Sequence, residues 1–276
     1  MSSDIKVGII GGTGLNNPDI LENRVEKEVN TSYGKPSDTL VCGTISGIKC
    51  VILSRHGHGH SISPTLINFR ANICALKEEG CTHILATSAC GSLKEEIAPG
   101  HFVIMDQFID RTFNRHVTFY DQQPGSWKGV SHIPMGEPFS PYIGKILTKA
   151  CKENGVIFHP NGTTVTIEGP RFSTVAESNI FRSWNADLVN MTTVPEVTLA
   201  KEAGLMYGVL GMATDYDCWK KHEEAVSVES VMAVMKKNSE MGTKILKTAV
   251  RLIAEYGDWT KEIKEAQDVA TKSIML

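Results

Sequence analysis

Apolar residues along the chain fall into two alternating kinds of segment. Short runs rich in valine, isoleucine, leucine and methionine predict buried β-strands, and segments with apolar residues three or four positions apart predict helices. Helix-like segments stand between the strand-like ones, an order typical of an α/β fold with a parallel or mixed sheet. The predicted strands cover residues 5–10, 49–54, 82–87, 101–105, 163–167, 186–191 and 205–212.

The first helix is predicted to begin at Ser63 and Pro64. Serine caps helix N-termini, and proline is tolerated at the first helical position. The helix is expected to stop at Gly80, since glycine commonly follows the last helical residue. The apolar residues on its predicted buried face are Leu66, Phe69, Ile73 and Leu76.

Two further helix starts carry capping signals. Thr174 followed by Glu177 is typical of a capping box. Ser227 is predicted to cap a long closing helix with a regular apolar side. Since neither a repeat nor a linker interrupts the alternation, we predict one α/β domain over residues 1–276, with a mixed central β-sheet flanked by helices.

Residues 111–138 break this pattern. They lack hydrophobic periodicity but contain several aromatic residues and histidines. Long irregular stretches within a compact domain are usually either functional or disordered. We interpret this one as an ordered loop at a site or a subunit contact. His132 is its candidate ligand-facing residue, and an ordinary surface histidine is the alternative.

Composition argues against several classes of protein. The 276 residues are 41% hydrophobic and carry a net charge of −3, so a large core is expected and a nucleic-acid partner is not. No apolar run approaches the ~18 residues of a membrane span, and no signal-peptide pattern is present, so no membrane association is expected. The seven cysteines form no CxxC pair, which favours free thiols in the cytoplasm.

Asp215 and Asp217 directly follow the last predicted strand. Open α/β sheets place ligand sites at the carboxyl ends of their strands, and two acids there are costly to bury unless something binds them. Such a pair can accept from an exocyclic amino group and share a proton with a ring nitrogen. That chemistry fits the edge of adenine better than the edge of guanine or hypoxanthine. A turn with two solvated acids is the alternative.

Hydroxyl, amide and cationic groups follow four other predicted strands. Thr13 lies in the turn at residues 11–14, whose N–H groups can form an anion-binding nest. This turn is not a dinucleotide fingerprint, because Asn17 stands where a third small residue is needed. Arg55 adds a fixed charge and His56 a switchable donor. The remaining groups belong to Ser88, Ala89, Met191, Thr192 and Thr193. Together they predict a phosphate cup beside the acid pair.

The histidine repeat at residues 56–60 leaves two other activities open. Amidohydrolases bind metal through HxH at a strand end, but they need further ligands that Asp106, His132 and the acid pair supply only loosely. The run Arg55-His-Gly57 also matches the RHG motif of histidine phosphatases, in which the histidine takes up the phosphoryl group. There the motif usually follows the first strand, whereas here a whole strand–loop unit precedes it.

Nine motifs, taken in their order along the chain, resemble those of the 5′-methylthioadenosine phosphorylases. That family belongs to the trimeric purine nucleoside phosphorylases. The resemblance extends over about residues 5–255. The motifs are Gly11-Gly-Thr-Gly-Leu15, Gly34-Lys-Pro-Ser-Asp38, Arg55-His-Gly57, Asn68-Phe-Arg-Ala-Asn72, Ala89-Cys-Gly-Ser92, Asp106-Gln-Phe-Ile-Asp-Arg-Thr112, Glu168-Gly-Pro-Arg-Phe172, Asn190-Met-Thr-Thr-Val-Pro-Glu196 and Ala213-Thr-Asp-Tyr-Asp-Cys-Trp219.

The resemblance implies a role for each matching position. The implied phosphate-binding residues are Thr13, Arg55, His56, Ser88, Ala89, Thr192 and Thr214. The implied nucleoside-binding residues are Met191 under the ribose, Phe172 and Ser173 beside the base, Asp215 and Asp217 at the adenine amino group and N7, and Val228, Val231 and Met232 around the methylthio group. His132 is implied to reach a neighbouring subunit's site. Ser88 stands where the family more often has threonine, and the tail at residues 274–276 departs from the family.

The family's reaction would be phosphorolysis of S-methyl-5′-thioadenosine to adenine and 5-methylthioribose 1-phosphate, a pentosyl transfer in purine and methionine salvage. Asp217 would be the general acid, its pKa raised by burial and by the like charge of Asp215. Inorganic phosphate would be a co-substrate, with no cofactor or metal. A homotrimer is expected in the cytoplasm, with the nucleus as a second location. A phosphorylase of broader 6-aminopurine or 6-oxopurine specificity and a metal-dependent amidohydrolase are the alternatives.

Overall fold

The computed structural model describes residues 5–12, 18–220 and 228–276. Its strands form one sheet of eleven and a separate sheet of two. The strands are β1 Lys6–Gly11, β2 Glu22–Lys27, β3 Leu40–Ile45, β4 Ile48–Ser54, β5 His83–Ser92, β6 Phe102–Ile104, β7 Gln107–Arg111, β8 Val130–Ser131, β9 Phe158–His159, β10 Thr163–Ile167, β11 Leu188–Asn190, β12 Met206–Asp215 and β13 Ile274–Met275. The α-helices are α1 Phe69–Glu78, α2 Pro141–Glu153, α3 Val175–Ser183, α4 Thr193–Glu202, α5 Val228–Tyr256 and α6 Thr260–Lys272.

The centre of the large sheet consists of parallel strands. β1 lies between β4 and β5 and runs parallel to both. β5 is also parallel to β12, while its C-terminal end pairs with β11 in the antiparallel sense. The sheet is therefore mixed, and the fold predicted from the sequence, a mixed sheet flanked by helices, is confirmed.

Two hydrophobic cores cover the faces of the sheet. Alternation along β1 sends Ile10 into one core, which also contains Ile73 of α1. The neighbouring Ile9 points into the other core, with Leu147 of α2 and Leu246 of α5. Burial on both faces explains why the central strands read as continuous apolar runs in the sequence.

The first helix begins later than the sequence predicts. Pro64–Leu66 forms a separate 3₁₀ turn, and α1 starts at Phe69. Its cap is Asn68, whose side chain accepts a backbone N–H, whereas Ser63 makes no capping hydrogen bond. Leu66 therefore lies outside the helix and is 75% exposed, so its predicted place on the buried face is wrong.

Strand β5 continues through the small-residue stretch that we predicted to be a turn. Residues 88–92 stay extended because β12 runs beside them as far as Asp215. A bulge interrupts the pairing at Thr214, and bulges commonly re-aim side chains next to active sites. The pairs on either side of the bulge are Ala213 with Cys90 and Asp215 with Gly91.

Other local predictions agree with the structure. Thr174 and Glu177 form both hydrogen bonds of a capping box, and the predicted strand 163–167 is β10. The predicted cap Ser227 lies outside the described residues. Residues 111–138 have little regular structure apart from the end of β7 and the short β8. Within the described ranges, no helix is long and apolar enough to cross a membrane.

Candidate active site

A cavity of about 420 Å³ opens where β5 and β12 carry their last residues. The two strands are parallel neighbours, so the residues near their carboxyl ends meet at one edge of the sheet. The volume is in the range of small-molecule sites. Of the residues predicted for the site, those that line the cavity are Arg55, His56, Ser88, Ala89, Phe172, Ser173, Met191, Thr192, Thr214, Asp215, Asp217 and Met232.

Asp215 and Asp217 lie side by side at the end of β12. The hydroxyl of Thr214 donates to Asp215 Oδ2 at 2.7 Å, and the Asp217 N–H donates to Asp215 Oδ1 at 2.7 Å. Both oxygens of Asp215 therefore already accept a hydrogen bond. Asp217 has a φ of +49°, in the left-handed region that few residues other than glycine adopt. The bond from its N–H to Asp215 supports this turn, so Asp215 orients Asp217.

Burial raises the pKa of both carboxyls above their ordinary values. Asp217 is only 8% exposed. At Asp215 the hydrogen bonds from Thr214 and from the Asp217 N–H oppose the effect of burial without cancelling it. A carboxyl with a raised pKa keeps its proton to higher pH, which is what a general acid near neutral pH requires.

Arg55 is an enclosed cation held by an acid. Its side chain is 1% exposed, and Nε and Nη2 donate to the two oxygens of Glu196 at 2.6 and 2.7 Å. The hydroxyl of Tyr207 donates to the same carboxylate at 2.7 Å. Burial opposes the charge of Arg55, but Glu196 outweighs burial and the pKa of Arg55 is raised. Nη1 also donates to the Thr87 carbonyl at 2.9 Å. Because the two charges cancel, Arg55 can offer an anion its remaining N–H groups rather than net positive charge.

His56 is neutral at physiological pH. Burial lowers its pKa to about 4, although the hydrogen bond to Ile62 opposes that change. Nδ1 lies 2.9 Å from the Ile62 carbonyl oxygen. Since a carbonyl oxygen only accepts, the proton of the neutral ring is assigned to Nδ1. Nε2 is then an acceptor, which suits a phosphate that still carries a proton.

The histidine repeat does not form a metal cluster among the described residues. The rings of His56 and His60 stack, with their centroids 4.0 Å apart. Within the residues that the structure describes, no group of three or more histidine, cysteine, aspartate or glutamate side chains is arranged to hold a metal ion.

Asn190 lines the cavity and connects three strands of the sheet. Its Nδ2 donates to Ser88 Oγ of β5 at 3.1 Å and to Thr193 Oγ1 at 2.6 Å, and its Oδ1 accepts from Thr166 Oγ1 of β10 at 2.9 Å. The Ser88 hydroxyl, 4% exposed, is therefore fixed in position beside Ala89. This network was not predicted from the sequence.

Met191 and Thr192 form the turn between β11 and α4, and we call these two residues the ledge. The Met191 side chain packs directly on Gly169, where an added Cβ would lie 2.6 Å from the Met191 sulfur. Gly169 also has a φ of +69°. Glycine is required there on both counts, and the close packing holds the ledge in place.

Phe172, Ser173 and Met232 line the cavity where it meets solvent. Phe172 is 41% exposed and Met232 is 47% exposed. The Ser173 Oγ is buried near Asp217, where its hydroxyl opposes the rise in the pKa of that carboxyl, while the Ser173 carbonyl accepts from Cys218 Sγ at 3.3 Å. This side of the cavity therefore combines apolar surface with a hydroxyl that a ligand could engage.

Five predicted site residues are not placed in this cavity, and one of them, Thr193, instead accepts a hydrogen bond from Asn190. Thr13 lies outside the described residues, as do the side chains of Val228 and Val231 at the start of α5. His132 is described, but it does not line the cavity. Its N–H donates to the carbonyl of Ser273 at 2.9 Å, beside the two-stranded sheet of β8 and β13.

The sequence analysis missed the residues that orient the predicted ones. Glu196 belongs to a motif that we used for the resemblance, but nothing in its local pattern distinguishes it from a surface acid. Its partner Arg55 is 141 positions away. Tyr207 and Asn190 likewise read as ordinary strand residues. Only the tertiary structure brings Asn190 to the cavity wall, Glu196 to Arg55, and Tyr207 to Glu196.

The chain is similar to known proteins over almost its whole length. A family model described as the phosphorylase superfamily matches residues 6–251. An S-methyl-5′-thioadenosine phosphorylase of Xenopus tropicalis is 58% identical over 273 residues, which covers 99% of this chain and 97% of that protein. The protein of the same name from Danio rerio is 56% identical over 275 residues, covering 100% and 98%.

Solved structures agree. The methylthioadenosine phosphorylase of Schistosoma mansoni in complex with adenine has a TM-score of 0.95 and 46% identity, covering 98% of this chain and 99% of that one. A mutant of the adenosine/methylthioadenosine phosphorylase of that organism, in complex with methylthioadenosine, has a TM-score of 0.94 and 46% identity over the same shares. Since the relatives match end to end at high identity, the chain belongs to the S-methyl-5′-thioadenosine phosphorylase family of the phosphorylase superfamily.

Proposed function

We propose that the protein converts S-methyl-5′-thioadenosine and inorganic phosphate to adenine and 5-methylthioribose 1-phosphate. One observation carries the proposal: a single cavity is lined both by an acid pair and by residues that supply hydroxyl, amide and guanidinium groups. The names of the relatives support it, as does the methylthioadenosine bound in a Schistosoma mansoni structure. The reaction is a pentosyl transfer that serves purine and methionine salvage.

Phosphate binds at the hydroxyl, amide and guanidinium groups of the cavity, beside the acid pair. Because Arg55 is neutralised by Glu196, binding depends on directed hydrogen bonds, each worth about 1.5–3 kcal/mol when one partner is charged. His56 accepts the proton of a monohydrogen phosphate through Nε2. The other groups proposed to contact phosphate are Thr13, Ser88, Ala89, Thr192 and Thr214.

Adenine binds at the acid pair. Asp217 gives its proton to N7, and the two carboxyls accept from the 6-amino group. Asp215 holds Asp217 in place through the 2.7 Å bond to its backbone N–H. A 6-oxo purine would present a carbonyl oxygen to these carboxyl oxygens, so that inosine and guanosine are poor substrates.

The sugar and its 5′ group lie between the phosphate-binding groups and the acid pair. Met191 of the ledge supports the ribose, and Phe172 and Ser173 flank the base. Met232 lines the cavity at the apolar pocket proposed for the methylthio group, and the family resemblance implies the same role for Val228 and Val231. An apolar pocket there explains a preference for a thioether over a 5′-hydroxyl.

The reaction balances without a cofactor. The bond between C1′ and N9 breaks and its electron pair stays with adenine, which gains a proton at N7 from Asp217. A phosphate oxygen forms the new bond to C1′ and its negative charge stabilises the ribosyl cation as it develops. Holding the two reactants in line removes much of the entropic barrier to a two-substrate reaction.

The active assembly is a homotrimer in which His132 completes the site of a neighbouring subunit. The position of His132 away from its own chain's cavity supports this assignment, as does the irregular segment 111–138, in which Phe113 is 85% exposed. The cytoplasm is the proposed location, with the nucleus as a second one, and no nucleic acid or membrane partner is proposed.

Product analysis with S-methyl-5′-thioadenosine, with and without phosphate, tests the proposal. Adenine and a sugar 1-phosphate should form in equal amounts, only when phosphate is present, and at the same rate after treatment with a chelator. Adenine release at full rate in phosphate-free buffer would instead identify a nucleosidase, and loss of activity with a chelator would favour the metal-dependent amidohydrolase.

A further inference from the structure

Arg115 is an enclosed arginine whose N–H groups are all directed at turns that border the cavity. Its side chain is 1% exposed, although it belongs to the irregular segment 111–138. The guanidinium has five N–H bonds and makes five hydrogen bonds. The acceptors are Glu168 Oε1 at 3.1 Å and the backbone oxygens of Met191 at 2.8 Å, Val194 at 2.6 Å, Glu168 at 2.7 Å and Ile167 at 3.5 Å.

One of these acceptors, the carbonyl of Met191, belongs to the ledge, and another, the carbonyl of Val194, follows it closely in the chain. Val194 departs from helical geometry inside α4, with φ −104° and ψ 132°, and its carbonyl is bonded by Arg115 instead. The carbonyl of Met191 is bonded in the same way. Buried backbone carbonyls need such partners. The guanidinium of Arg115, which does not line the cavity, therefore fixes the backbone around Met191 and Thr192.

Glu168 completes the clamp from the turn that follows β10. Its Oε2 accepts from the backbone N–H groups of Phe113 and Asn114 at 2.7 and 3.1 Å, while Oε1 accepts from Arg115. The same turn contains Gly169, which packs on the Met191 sulfur. Three segments distant in sequence thus meet at one ion pair directly behind the ledge.

We propose that Arg115 is a positioning residue for the ribose, which acts through the ledge and does not touch the substrate. Arg115 does not line the cavity, so a direct contact with substrate is not part of this role. The inference rests on the proposed function, because it assumes that Met191 supports the sugar. It assigns a catalytic consequence to a residue outside the cavity wall.

Geometry, rather than charge alone, makes Arg115 suitable for this role. A guanidinium is a flat, rigid fork, whereas a lysine ammonium is a point charge on a flexible stem and cannot bond acceptors on both turns at once. Arg115→Lys therefore keeps the charge and removes the clamp. A shift of the ledge by about 1 Å would misalign C1′ between phosphate and adenine, and misplacement of that size can cost about a hundredfold in rate.

Arg70 provides a matched control. It also ties segment 111–138 to the body of the protein, by an ion pair with Asp121 and by lying over the Tyr33 ring at 4.9 Å. Neither Arg70 nor its partners line the cavity. Arg70→Lys should therefore weaken the anchoring of the segment without moving the ledge.

The test compares Arg115→Lys, Arg115→Ala and Arg70→Lys by titration calorimetry and steady-state kinetics. In phosphate-free buffer, Arg115→Lys should bind S-methyl-5′-thioadenosine about tenfold more weakly and bind adenine within about twofold of the wild type. With saturating phosphate, the kcat of Arg115→Lys should be about 10–100-fold lower than that of the wild type. Guanidinium ion should partly restore the kcat of Arg115→Ala. Arg70→Lys should change Tm without separating the nucleoside affinity from the adenine affinity.

Two results would overturn the inference: equal losses of adenine and nucleoside affinity in Arg115→Lys, or wild-type kinetics in that variant. If Arg115→Ala does not fold, Arg115→Lys alone decides. Failure of the proposed function would look different, since the wild type itself would then not bind the nucleoside or would release adenine without phosphate.

Discussion

Replacing Asp217 with asparagine should alter both the chemistry and the base that the cavity accepts. The amide has nearly the same shape as the carboxyl but has no acidic proton to give to N7. It also presents N–H donors where the carboxyl presents acceptors. We therefore expect a large loss of activity on 6-amino nucleosides and a relative gain on inosine.

The surroundings of Asp217 set the size of the effect. The side chain is 8% exposed and burial raises its pKa, so the proton is held where water does not compete for it. Loss of a general acid typically costs about 10²–10⁴-fold, or about 3–5 kcal/mol of transition-state stabilisation. Sites that hydrogen-bond a specific group can discriminate by about 10⁴-fold, so the preference between adenine and hypoxanthine nucleosides should also shift by orders of magnitude.

The assay measures kcat/KM for S-methyl-5′-thioadenosine, adenosine and inosine in the wild type, Asp217→Asn and Asp217→Ala. The alanine variant is the control, because it removes the acid without adding a donor and should lose activity on both kinds of base. Melting temperatures show whether a variant is still folded.

Two results would refute this reasoning. If the wild type uses inosine as efficiently as S-methyl-5′-thioadenosine, the acid pair does not read the 6-amino group. If Asp217→Asn keeps nearly full activity on S-methyl-5′-thioadenosine, Asp217 is not the proton donor, and the raised pKa of this carboxyl has no catalytic role.

Three further expectations concern the phosphate end, pH and assembly. Arg55→Ala should raise the phosphate KM strongly and lower Tm, because it leaves Glu196 as an unpaired buried charge at a cost of about 3–5 kcal/mol. Ser88→Thr keeps the hydroxyl and should change the phosphate KM much less. An unchanged phosphate KM in Arg55→Ala would exclude Arg55 from the site. The kcat/KM for S-methyl-5′-thioadenosine should fall as pH rises through the pKa of Asp217, because the carboxyl can donate a proton only while it is protonated. Burial raises this pKa. Activity that increases steadily with pH would contradict this expectation. Light scattering should show a homotrimer, and a fully active monomer would refute the role of His132.

The sequence was sufficient to predict the cavity residues wherever residues with polar or charged side chains directly follow a predicted strand. Asp215, Asp217 and Ser88 follow apolar runs, and the rule that strand ends carry ligand sites brought them together correctly. Local signals failed where partners outside the segment decided the outcome. Residues 88–92 look like a turn but are held extended by β12, and Ser63 looks like a helix cap although the capping residue is Asn68.

The supporting residues could not have been found in this way. Arg115 lies in a segment without periodicity, and its acceptors are 52 to 79 positions further along the chain. Four of its five hydrogen bonds are accepted by backbone oxygens. Every residue type has a backbone oxygen, so the sequence does not show which ones accept. A buried arginine of this kind becomes visible only when the turns it connects have been placed in space.

The pairing of β5 with β12 fixes the spacing between the residues that each strand contributes to the cavity. Ser88 and Ala89 are on one strand and Asp215 is on the other, in a register fixed by backbone hydrogen bonds on both sides of the bulge at Thr214. Inserting or deleting one residue here would turn every later side chain to the opposite face of the sheet. Changes of length are therefore forbidden at the reaction centre. New substrates can be accommodated only at the solvent side, near Met232, where surface is exposed and the backbone ladder sets no spacing.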